Sequence, residues 1–189
     1  MTRRILSLLA GVLLLAAIVV VNRLSPSADR QYEPIASTGG IREEIDTVDF
    51  QIRVDRVGLA KSIKIKDSFG AEGRPRSTAG TWVVVWATAS ATRKEVSLRG
   101  SEIATADGDV YAATPVLGAL DTAALQPGIP AYGAMLFEVP AAKLPGAVLK
   151  VHTQLQEGLR LLGAAAEVPL NLPGTEPEAS VVLGAVREV

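Results

Sequence analysis

Thr81-Trp82-Val83-Val84-Val85-Trp86-Ala87-Thr88 is an unbroken run of apolar and β-branched residues. A strand with one wet face alternates apolar and polar side chains, so a run of this kind predicts a central strand covered on both faces. Trp82 and Trp86 stand four apart and therefore share a face. Two tryptophans so placed read as core, where the largest side chains of a sandwich normally pack, or as a platform on which sugar rings stack. Core is the expectation.

On the amino-terminal side, Val48, Phe50, Ile52 and Val54 alternate with Asp49, Gln51, Arg53 and Asp55, the period of a strand with one buried face. Ile63 and Ile65, set between Lys61, Lys64 and Lys66, repeat the pattern. On the carboxyl side Val96 and Leu98 predict a short strand, and Glu102 to Thr105 and Val110 to Ala113 flank the turn Ala106-Asp107-Gly108-Asp109. Tyr132 to Val139, Val148 to His152 and Glu167 to Leu172 read as further strands, with Pro140 to Gly146 as a turn and Gly118 to Ala124 as one possible helical turn. Seven or more short strands with no convincing amphipathic helix indicate an all-β sandwich or barrel.

The first 24 residues are of another kind. Ile5 to Val21 is a seventeen-residue apolar run with Arg3 and Arg4 before it and Arg23 after it. At 1.5 Å per residue it spans roughly 25 Å, close to the hydrocarbon thickness of a bilayer, and flanking arginines can snorkel across the shortfall. It exceeds the usual core of a cleaved signal peptide, and Pro26 precedes the nearest small-residue site at Ala28, so an uncleaved signal anchor is expected. Arg3 and Arg4 place the amino terminus in the cytoplasm and the rest of the chain outside. The expected organisation is a cytoplasmic tip and transmembrane anchor (1–24), a flexible tether rich in Ser, Pro and Gly (25–46), an extracytoplasmic β-sandwich (47–172), and a tail or added strand (173–189).

The order of features resembles a known family. The Trp82 to Ala89 strand, Val96 and Leu98, Asp107-Gly108-Asp109-Val110-Tyr111, Leu125-Gln126-Pro127-Gly128 and Gly133 to Pro140 are similar to bacterial extracytoplasmic immunoglobulin-like domains of unknown function, sometimes called immunoprotective extracellular. The likeness covers roughly residues 46–172 and implies an immunoglobulin-like β-sandwich on a membrane-anchored surface protein. The chain departs from lipid-anchored members in having no cysteine, and it has Ala89-Ser90-Ala91-Thr92 where an asparagine usually follows the central strand.

Composition narrows the function. Past residue 28 there are 16 basic and 20 acidic residues, a balance of −4 that does not favour nucleic acid. Without cysteine there are no disulfides or thiolate metal sites. The single histidine, His152, sits at a strand end with no nucleophile turn nearby, so it is read as a half-exposed strand residue. Asp107-Gly108-Asp109 lacks the further oxygen ligands and distal glutamate of a calcium loop and reads as a hairpin. No catalytic, cofactor or metal residue is expected. The expected function is a non-enzymatic protein-binding, adaptor or structural module whose partners are the membrane and another envelope or membrane protein. The alternative is binding of cell-envelope polymer or lipid by the basic loop 61–76, through Lys61, Lys64, Lys66, Arg74 and Arg76. A hydrolase with an unrecognised site comes third.

Overall fold

In the computed structural model the described residues are 35–66, 70–153, 163–172 and 176–189. The anchor read at Ile5 to Val21 lies outside them. Among the described residues no helix is long and apolar enough to cross a membrane.

In chain order the strands are β1 (Ile35–Thr38), β2 (Glu44–Asp46), β3 (Phe50–Ile65), β4 (Arg76–Ala91), β5 (Glu102–Ala104), β6 (Val110–Ala112), β7 (Ala131–Val139), β8 (Val148–His152), β9 (Ala164–Pro169), β10 (Val181–Leu183) and β11 (Arg187–Glu188). They form two sheets, a β-sandwich. One runs β1-β9-β8-β5-β6; the other runs β10-β3-β4-β7-β11, with β2 also on β3. The inner faces meet in one core: Phe50, Ile52 and Val54 of β3, Val83, Val85 and Ala87 of β4 and Met135 and Phe137 of β7 pack with Ile103, Leu149, Val151 and Val168 of the opposite sheet.

Alternation accounts for the central strand. Val83, Val85, Ala87, Ala89 and Ala91 of β4 enter this core, while Trp82, Val84 and Trp86 point the other way, into a smaller apolar cluster with Ala60, Ile63, Ala134, Leu136, Val181 and Leu183. The strand is thus covered on both faces as expected, and both tryptophans are buried, Trp82 to 4% exposure and Trp86 to 8%. They lie on the side away from the inter-sheet core.

Several expectations need correction. Of the segment 25–46, residues 35–46 are no tether: β1 pairs in parallel with β9, β2 pairs with β3, and Ile45 is buried opposite Ile52. Gly39 is a packing glycine, since a Cβ there would lie 2.6 Å from Ile45 Cγ1. Ile63 and Ile65 belong to the same sixteen-residue strand as Phe50, and residues 61–65 of the expected loop are strand, paired with β4 at Ser62 and Ile63. Val96 forms a lone bridge with Leu125 and no strand with Leu98. Strand β9 starts three residues before Glu167. The tail takes the strand alternative: β10 pairs in parallel with β3 at Ile63 to Ile65, and β11 pairs with β7 at Ala131 and Tyr132.

Candidate functional site

The most chemically distinctive surface lies on the outer face of β3, β4 and β7, and a single extra residue in β3 creates it. Val54 pairs with Ala87 and Arg56 with Trp86, so Asp55 is a β-bulge between them. A bulge turns two successive side chains to one face. Asp55 points outward, where it accepts from Thr88 Oγ1 at 2.9 Å and from Arg53 Nε at 2.8 Å. Arg56 points outward as well, and Val57 then returns to the core side. Gly58 leaves room for the neighbouring indole, since a Cβ there would meet Trp86 Cζ3 at 3.0 Å.

Arg56 lays its guanidinium over Trp86, 3.6 Å from the ring centroid. Two strands further across, Arg187 of β11 lies over Tyr132 at 5.3 Å. Between them is a groove of about 370 Å³ lined by Arg56, Trp86, Tyr132, Ala134, Ala185 and Arg187, with Gly184 leaving it open. A guanidinium held by its face over a ring keeps its N–H edge free for a planar acceptor. Neither Arg56 nor Arg187 pairs with an acid among the described residues. Arg53, by contrast, is neutralised by Asp55.

The residues singled out in the sequence lie elsewhere. His152 is largely buried rather than half-exposed, its side chain 13% accessible, with Nε2 3.9 Å from Oε1 of buried Glu102. Gly100 packs so closely that a Cβ would fall 2.1 Å from His152 Nδ1. The nearby Ser101 hydroxyl donates to the Leu98 carbonyl at 2.7 Å. Asp107 and Asp109 form the expected hairpin turn, with Gly108 at φ +90°. The Lys143 ammonium bridges both carboxylates, and with Thr105 it holds the Asp107 carboxyl down to about 2. Lysine therefore fills the position a bound cation would take. In the 61–76 segment Lys64 is paired with Glu72 at 3.0 Å, which reduces the free positive charge there. Among the described residues no group of three His, Asp or Glu side chains could hold a metal ion.

One buried group was not visible in the sequence. Asp121, in the 3-10 turn Leu120–Thr122, is 2% exposed, and its Oδ1 has no hydrogen-bond partner among the described residues. Burial pushes its carboxyl up from 3.8 to about 6, against smaller opposing pulls from its own backbone and from Arg99. Between those two values the folded chain holds a proton that the unfolded chain releases, so this group's contribution to stability falls as pH rises through that window. Asp121→Asn should remove the penalty. Relative to the parent, the variant should gain up to about 3 kcal/mol between pH 4 and pH 7, read from urea midpoints. Equal pH slopes in the two proteins would show that Asp121 is not the titrating group.

No family model matches the chain, and no curated protein does. Among solved structures, an uncharacterized β-sandwich protein from Clostridium difficile 630 is similar at 12% identity over 76% of this chain and 99% of that one, with a TM-score of 0.47. MPT63, a secreted protein from Mycobacterium tuberculosis, is similar at 20% identity over 71% of this chain and 97% of that one, with a TM-score of 0.45.

Proposed function

We propose that this chain is a non-enzymatic protein-binding module, held outside the cell membrane by its amino-terminal apolar run, that contacts another envelope protein through the outer face of its larger sheet. The observation that carries the reading is the groove between Arg56 and Arg187, where two exposed guanidiniums are oriented by aromatic rings and have no acid paired to them among the described residues. Desolvating an arginine without a partner is costly, so a surface that presents two of them in fixed orientation is suited to a complementary acidic surface. The lone histidine supports the non-enzymatic part, because it is packed against Gly100 and the adjacent serine hydroxyl is bonded to backbone. The immunoglobulin-like character rests on the order of strands and turns quoted above.

The anchored topology is tested with intact spheroplasts. Protease added outside should digest the domain while the membrane-embedded fragment retains residue 1, and the untreated chain should carry its full mass. Complete protection of the domain would place it on the cytoplasmic side. A mature chain beginning at Asp29 would replace the anchor with a cleaved signal.

A further inference from the structure

We propose that Arg56 and Arg187 form a paired carboxylate clamp that seats an acidic peptide segment of the partner protein across the outer face of the sheet. The assignment deepens the binding-module reading and rests on it. The arginines start from β3 and β11, three strand spacings or roughly 14 Å apart, and lean inward over rings of the two strands between them. An extended peptide advances about 3.4 Å per residue, so two acidic side chains spaced about two to four residues apart can reach the two guanidiniums. Beside the Trp86 and Tyr132 rings the floor drops to Ala134, so a chain crossing the strands lies over that small side chain. One wall is Gly184-Ala185, whose backbone makes no hydrogen bond among the described residues. Unpaired N–H and C=O groups suit the main chain of a peptide, and acids at both ends suit the guanidiniums.

Charge separates this occupant from other anions. Asp55 flanks the groove and Glu188 follows Arg187 directly. A polyanionic membrane or polysaccharide would need a broad positive field, which these acids interrupt. A short segment with two spaced carboxylates needs only two fixed forks. Lysine at either position would keep the charge and lose the fork.

The test uses the full chain in uncharged detergent. The probe is a labelled ten-residue Gly/Ser peptide carrying two glutamates four residues apart. Comparators carry two glutamines, or two adjacent glutamates, and chondroitin sulfate and phosphatidylglycerol vesicles serve as competitors. The spaced-glutamate peptide should bind and shift tryptophan emission, because the cover of Trp86 changes. Arg56→Lys and Arg187→Lys should each weaken it by about tenfold, with unchanged near-UV dichroism. Binding that is indifferent to glutamate spacing, to glutamine exchange or to Arg→Lys overturns the clamp. So does preferential binding of the sulfated polymer or the vesicles. Photo-crosslinking in the native membrane from Ala185→p-benzoylphenylalanine separates the two levels: a cross-linked protein with no peptide binding rejects the carboxylate assignment alone. Absence of both rejects the binding face too.

Discussion

Exchanging Trp82 for alanine is expected to lower the unfolding free energy by about 3–5 kcal/mol, a large share of the roughly 5–15 that holds a domain folded. The indole is 4% exposed and packs among Ala60, Ile63, Val181 and Leu183. Its Nε1 also donates to the Arg76 carbonyl at 3.1 Å, a bond that closes the start of β4 onto its own strand. Alanine removes both the apolar contact and that donor, and leaves a cavity between a hairpin and β10 that cannot collapse without moving backbone. Trp86→Ala should cost less, because the ring's outer side is covered by an exposed arginine rather than by a strand. Urea unfolding of both variants measures the difference. An unchanged midpoint for Trp82→Ala would mean that the small cluster is not a stabilising core.

How far the sequence reveals this fold depends on how local the signal is. Alternation of apolar residues over Phe50 to Val54 and the unbroken run at Trp82 to Ala87 specify strands by themselves, because each residue's face follows from its own position. The Asp107-Gly108 turn is equally local. Which of two buried faces meets the second sheet is not local: the larger side chains of β4 look like the main core, and only the alanines of β9 show why smaller ones suffice there. Residues 35–46 defeat composition for the same reason. A Gly-Gly pair reads as flexible until Ile45 is found packed against Gly39.

The groove was partly legible. Val54-Asp55-Arg56-Val57 breaks the period of two with a pair of polar residues, which is the mark of a bulge, and Trp86 was already placed on a shared face. Tyr132 and Arg187 could not have been added, since their meeting depends on a terminal two-residue strand pairing across the sheet. Glu102 beside His152 likewise follows from the register of β5 on β8.

Deleting residues 177–189 is expected to expose the tryptophan cluster and bring the domain close to unfolding. This segment supplies Val181 and Leu183, both buried, whose transfer from water is worth about 3–6 kcal/mol together. It also supplies bonds from Glu178 N to Leu59 O at 2.9 Å, from Lys61 N to Glu178 O at 2.8 Å and from Lys66 N to Leu183 O at 2.8 Å. Freeing the segment also returns backbone entropy, but that gain does nothing for what stays behind. Trp82, Val84, Trp86 and Leu136 would then lack the side chains that cover them, giving an apolar patch of the kind that binds hydrophobic dyes and self-associates. Tryptophan emission should move to the red and dye binding should rise, alongside a fall in the urea midpoint. Leu183→Asp keeps the whole chain but puts an unpaired charge into the cluster, so it should reproduce the red shift if cover is what matters. A truncated chain with unshifted emission and an unchanged midpoint would show that β10 and β11 rest on the sheet without stabilising it.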